Sequence, residues 1–186
     1  MAMSPQVRKF ALTAHVASSV GWLGAVTSFL VLAVASLVSD DAHLVRGAYL
    51  TMEVTGWYVL VPLSLASLVT GLVQSLGTRW GLFRHYWVLA KLLINVFATL
   101  VLLLYTSTLG SLADVAADTT LSDAGLLQSR GPSALIHAGG ALVLLLAATV
   151  LSVYKPAGMT RYGQRKQRRE TSRQSRRQQA EVGIQP

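Results

Sequence analysis

Residues 10–38 read FALTAHVASSVGWLGAVTSFLVLAVASLV, 29 positions without one Asp, Glu, Lys or Arg. A charge-free run of that length predicts a helix that crosses a membrane, because about 20 apolar residues span a hydrocarbon core of roughly 30 Å. Three further segments repeat the pattern. Residues 47–78 carry a single charge, Glu53, with Pro62 near the middle. Residues 87–110 carry only Lys91, with Asn95 one turn further on, and residues 132–154 carry no charge. The expected fold is therefore an all-α, four-helix transmembrane bundle over residues 1–156. Pro62 lacks an N–H and leaves the Tyr58 carbonyl without its helical partner, so a kink is expected there. A cleaved leader is the competing reading of the first run, with Arg8 and Lys9 as its basic start and Ala33-Val34-Ala35 as its cleavage site. The apolar run before that site is longer than the roughly 7–15 residues of a leader core, so retention as the first span is expected.

Charge orients the bundle. Of 16 Lys and Arg, nine follow residue 154, against two Glu there. The N-terminal flank adds Arg8 and Lys9, and residues 79–91 add Arg79, Arg84 and Lys91. The other two connections contribute only Arg46 and Arg130. Basic residues collect on the cytoplasmic side of membrane proteins. Fourteen against two predicts both termini in the cytoplasm; the membrane expected is a bacterial cytoplasmic one. Residues 157–186 have no apolar periodicity and are expected to form a disordered basic tail. Its Arg165, Lys166, Arg168 and Arg169 suit anionic lipid headgroups, as do Arg79, Trp80, Arg84 and Trp87 in the short connection before the third span. The same charge without an accompanying fold gives no case for nucleic acid. Residues 111–131 form the longest connection, with a short interfacial helix expected near residues 121–128 and Pro132 opening the last span.

Two stretches resemble a known family. His15-Val16 with Ser19-Val20-Gly21-Trp22-Leu23-Gly24, and Gly77-Thr78-Arg79-Trp80-Gly81-Leu82-Phe83-Arg84-His85-Tyr86-Trp87-Val88 followed by Lys91, are similar to an actinobacterial-type family of small integral membrane proteins of unknown function. The likeness covers roughly residues 7–155 and implies four membrane helices, with no activity to carry over. The opening His and Gly-Trp-Leu-Gly also resemble, over a short stretch, the first helix of copper-resistance D-type membrane proteins.

Polar residues inside spans face a bundle interior and are the first functional candidates. Depth along the helices sorts them into two layers. Glu53, His137 and Tyr105 form an outer layer, in which Glu53 and His137 are expected to pair as a proton or cation site or as a structural bridge. His15, Lys91 and Asn95 form an inner layer. Helical phase puts Glu53, Trp57, Leu60, Ser64, Ser67, Gly71 and Ser75 on one face of the second helix. Ala17, Gly21 and Ala25 form a small-residue ridge for close packing within or between chains.

With no cysteine, thiolate metal sites and c-type haem attachment are excluded. A haem b would need two histidines at matched depth, and the pairs on offer are His15 with His85 and His43 with His137. His43 and His85 fall at helix ends. Copper by histidine alone has no further support. No nucleophile–base pair, zinc motif or phosphate loop is present. The leading expectation is a non-enzymatic protein with no cofactor: a scaffold or accessory subunit, or a small proton or cation conductor. A histidine-ligated haem or copper carrier is the alternative. Expected partners are membrane lipids, a second copy of the chain, or another membrane protein.

Overall fold

The computed structural model describes residues 4–77, 83–118, 124–154, 156 and 158–182. Helix α1 is Pro5–Val38, α2 Ala42–Gly77, α3 Tyr86–Ala117, α4 Ala124–Tyr154 and α5 Arg161–Val182. There is no strand among the described residues. The first four are long and apolar enough to cross a membrane. They form an antiparallel bundle in which α1 packs most extensively against the second half of α2 and against α4. Phe10, Leu104, Ile136 and Val153 are among many large apolar residues left exposed. In water such a surface would drive association; in a bilayer it is the lipid-facing coat.

The buried stripe of α1 runs Ser18, Trp22, Val26, Phe29, Ala33 and Ser36, at spacings of three and four. Trp22 belongs to one continuous core with Tyr49 and Met52 of α2, Leu109 of α3 and Ala134 and Ala138 of α4. The small-residue ridge is used within the chain at Gly21. A methyl group there would sit 3.5 Å from the Leu63 side chain of α2, ordinary contact distance. Ala17, one turn earlier, is exposed.

Four boundaries differ from those expected: α1 begins at Pro5 rather than residue 10, α2 begins at Ala42 rather than residue 47, and the facing ends of α3 and α4 both extend. Helix α3 continues past residue 110 to Ala117, closed by the Asp118 N–H on the Asp114 carbonyl at 3.2 Å. Helix α4 begins at Ala124, so Pro132 lies inside it rather than opening it. Of the separate interfacial helix expected at 121–128, residues 124–128 belong to α4, and residues 121–123 lie outside the described set. The reason is physical. Charges such as Asp114 end a hydrophobic span, but a helix that has left the hydrocarbon carries them without penalty.

Pro62 acts one turn upstream of itself. Residues Gly56–Leu60 form a π turn, closed by the Val61 N–H on the Gly56 carbonyl. A π turn holds one extra residue. It therefore rotates everything before it by about 100° relative to everything after it, at 3.6 residues per ordinary turn.

The tail differs most. Residues expected to be disordered form α5, and its attachment is specific. The Thr160 hydroxyl accepts from the Gly163 N–H at 3.1 Å as a helix cap. It also donates to the Phe83 carbonyl, and the Thr160 N–H donates to the Arg84 carbonyl at 3.0 Å. Arg84 and Glu170 form an ion pair at 3.2 Å. Gln, Arg, Lys and Glu are good helix formers once a start is fixed, because their unbranched chains lose little rotamer freedom.

Candidate functional site

The polar side chains of the spans divide into a connected group and two isolated ones. The connected group lies near the end of the bundle that holds both termini. The His15 ring reaches from α1 to α2, its Nδ1 3.1 Å from the Ser67 carbonyl and 3.2 Å from the Thr70 hydroxyl. A carbonyl only accepts, so Nδ1 carries the proton. The Ser67 hydroxyl is the hub. It lies 2.9 Å from the Ser19 hydroxyl of α1 and accepts from Asn95 Nδ2 of α3 at 3.2 Å. Thr99 reaches the Asn95 carbonyl oxygen at 3.5 Å, the outer limit of such a bond. One serine thus joins three helices. Gly71 makes room for the imidazole, since a Cβ there would sit 3.1 Å from His15 Cε1. Lys91 is close enough to act on His15 through its charge. The expected inner layer of His15, Lys91 and Asn95 is therefore brought together. Ser67 was legible on the polar stripe of α2, whereas Thr70 and Thr99 carried no signal of their own.

The expected outer layer is split. His137 and Tyr105 stack as rings, with centroids 4.1 Å apart and planes at 16°. His137 Nδ1 lies 2.8 Å from the Ser133 carbonyl one turn back in α4, so it too carries the proton. Glu53 is elsewhere. Its carboxylate approaches Gly110, where a Cβ would lie 3.8 Å from Oε1. Gly110 is about 7.5 Å further along α3 than Tyr105 at 1.5 Å per residue. Glu53 and His137 make no ion pair or hydrogen bond with each other. The expected bridge is not formed, because Glu53 lies level with Gly110 rather than with the Tyr105–His137 pair, and the extra residue of the π turn shifts its phase relative to the second half of α2. Among the described residues Glu53 has no hydrogen-bond or salt-bridge partner. It lines a shallow opening with Val54, Trp57 and Tyr58, the last two being 48% and 79% exposed.

A cavity of about 190 Å³ lies between α1, α3 and α4. Trp22, Phe29, Phe97, Tyr105, Ile136 and His137 line it. The Tyr105 hydroxyl is buried and faces Ser133, but the geometry falls short of a hydrogen bond and it has no other partner among the described residues. Leaving a buried hydroxyl unpaired costs about 1–3 kcal/mol. Trp22, Val26, Leu60 and Leu102 also line the cavity, and among the described residues no hydrogen bond joins the Tyr105–His137 pair to the Ser67 network. No protein-family model, curated protein or solved structure matches the chain.

The remaining histidines lie apart. His43 is exposed at the start of α2, where its N–H caps onto the Asp41 carboxylate at 2.9 Å. His85 precedes α3, bridged to Met159, with its ring 6.3 Å from that of Trp87. Among the described residues no three His, Asp or Glu side chains gather as a metal-holding group. Of the residues expected to meet lipid headgroups, Arg79 and Trp80 lie outside the described set. Arg84 is engaged by Glu170, while Arg165, Lys166, Arg168 and Arg169 stand exposed on α5.

Proposed function

We propose that this chain is a non-enzymatic scaffold or accessory subunit of a membrane assembly, seated in a bacterial cytoplasmic membrane with both termini inside. Glu53 carries the reading. A carboxylate within a span is costly unless it is paired or set in a polar cavity. Glu53 has no partner among the described residues, and it is half-buried at the seam of α2 and α3, beside exposed Trp57 and Tyr58. A group supplied by a neighbouring membrane protein, or by a second copy of this chain, completes it. The alternative of ion conduction has less support, because among the described residues no hydrogen bond links Glu53 or the Tyr105–His137 pair to the Ser67 network. Orientation rests on the fourteen basic residues on one side against two on the other.

Two experiments test this. After mild extraction the full chain should run as an assembly larger than one protomer, and Glu53→Gln should shift it toward the single chain. A wild-type chain that is monomeric in nanodiscs cut directly from its own membrane would remove the proposal. In liposomes, proton and cation flux should not rise above that of empty vesicles. Flux that depends on Glu53 would replace assembly with conduction. A reporter fused after Pro186 should read as cytoplasmic.

A further inference from the structure

Helix α5 has no apolar stripe, but its charge is patterned. At about 100° per residue, the seven Lys and Arg from Arg161 to Arg176 fall within an arc of about 160°, bounded by Arg168 and Lys166. Of the other residues in that stretch only Tyr162 and Ser172 share the arc. Gly163, Gln167, Glu170, Thr171 and Gln174 lie on the other side. The helix is therefore two-faced, basic against neutral. Its contacts to the bundle come from the neutral side: Gly163 lies against the Arg84 backbone, and Glu170 pairs with the Arg84 guanidinium at 3.2 Å. Glu170 is the one acidic residue between 161 and 180, so this pairing leaves the basic face without a counter-charge of its own. All seven cationic side chains are exposed, and none makes an ion pair among the described residues. Among those residues α5 packs against none of the four spans.

The start of α5 is fixed level with the end of a span. The Thr160 N–H donates to the Arg84 carbonyl at 3.0 Å, and the Tyr86 N–H, at the first residue of α3, donates to the Gly158 carbonyl at 3.3 Å. Exposed aromatic rings collect here: Phe83 and Tyr86 at the start of α3, Tyr154 at the end of α4, and Tyr162 inside the basic arc. Such rings mark the headgroup level of a membrane. Arg161, Arg165 and Lys166 follow Thr160 within about 9 Å at 1.5 Å per residue. That is close to the screening length of about 8 Å at physiological salt, so these cations act on a charged bilayer surface whichever way the rest of α5 runs. We propose that the basic face of α5 docks on anionic phospholipid at this end of the bundle, with Tyr162 at headgroup depth and the Arg84–Glu170 pair holding the neutral face. The orientation proposed above makes this the cytoplasmic leaflet; the docking itself rests on α5 and not on Glu53.

The test uses the full chain, which has no cysteine. A single cysteine is introduced by Ser172→Cys in the basic arc or by Gln167→Cys on the opposite side, and each carries a polarity-sensitive fluorophore. Phosphatidylcholine nanodiscs with and without phosphatidylglycerol expose both leaflets, so the outcome is independent of orientation and of assembly through Glu53. Emission from position 172 should rise at least twofold with phosphatidylglycerol. It should fall back in 1 M salt, where the screening length is about 3 Å. Emission from position 167 should change less than half as much. A basic residue near an acidic membrane is worth about fivefold in the bound-to-free ratio, so Arg168→Gln/Arg169→Gln should lower that ratio at least tenfold. The salt reversal needs no charge variant and decides the matter if that variant loses the helix. No response to phosphatidylglycerol at position 172, or one that 1 M salt leaves intact, would overturn the proposal. So would an equal response at position 167. Duplex DNA held at physiological salt by nanodiscs that contain phosphatidylglycerol would show the basic face left open to another polyanion, and would overturn it too.

Discussion

Ser64 and Ser67 are neighbours on α2, buried to 0% and 2% exposure, yet removing their hydroxyls should have different consequences. Ser64 donates to the Val61 carbonyl within its own helix at 2.9 Å. That carbonyl keeps its place in the helix when the hydroxyl goes, so Ser64→Ala should change stability by less than about 0.5 kcal/mol. Ser67 holds Ser19 of α1 at 2.9 Å and Asn95 of α3 at 3.2 Å. Interhelical hydrogen bonds in membrane proteins average about 0.6 kcal/mol and reach about 1.7. Two of them give about 1.2 kcal/mol as the central expectation. Part is recoverable, because Ser19 can turn its hydroxyl back to a carbonyl of α1, as Thr27 does to Leu23 at 2.9 Å. Asn95 has no such local substitute for its donor. The expected loss for Ser67→Ala is therefore about 1 kcal/mol, most of it shared with Asn95. Reversible unfolding in mixed detergent micelles measures both variants, and the Ser67→Ala/Asn95→Ala double-mutant cycle isolates the shared part. A coupling of about 0.6 kcal/mol supports the hub. A cost for Ser64→Ala equal to that for Ser67→Ala, or a coupling of zero, would refute it.

Gly71→Ala should cost about 1–3 kcal/mol by pushing on the His15 ring, whose Cε1 would lie 3.1 Å from the new Cβ; adding His15→Ala should recover most of that in the same unfolding assay. Tyr49→Phe deletes the buried bond from the Tyr49 hydroxyl to the Leu127 carbonyl at 2.9 Å. It should lower stability by about 0.5–1.5 kcal/mol and speed hydrogen exchange in the first turns of α4. Gly163→Val should detach α5, because a Cβ at Gly163 would collide with the Arg84 carbonyl; limited proteolysis should then cut the tail faster while the bundle melts unchanged. Arg84→Ala, which removes the partly exposed ion pair to Glu170, should shift the melt by about 1 kcal/mol or less.

The four spans were legible because the bilayer imposes them: only a long apolar helix satisfies its own backbone there. The same hydropathy could not give the helix ends, since α3 runs past the end of its apolar run to Ala117 and α4 starts before its own at Ala124. The inner polar group was legible from depth and phase, as His15 and Asn95 lie on uninterrupted helices. Glu53 was placed wrongly against His137 because it and Ser67 share a face only if α2 is a uniform α-helix. The extra residue at Gly56–Leu60 breaks that phase, and Pro62 marks a disturbance without stating its form. Helix α5 has no apolar stripe to announce it, and its start depends on Phe83 and Arg84, some 76 residues earlier.

The assembly role of the Glu53 face is tested most directly by site-specific photo-cross-linking in the native membrane. A photoreactive residue at Tyr58, beside Glu53 on the exposed side of α2, should yield a discrete protein adduct. The yield should fall sharply in Glu53→Gln, and the same probe at Leu104 should give only lipid adducts. Lipid adducts alone at position 58, or a protein adduct indifferent to Glu53, would contradict the account.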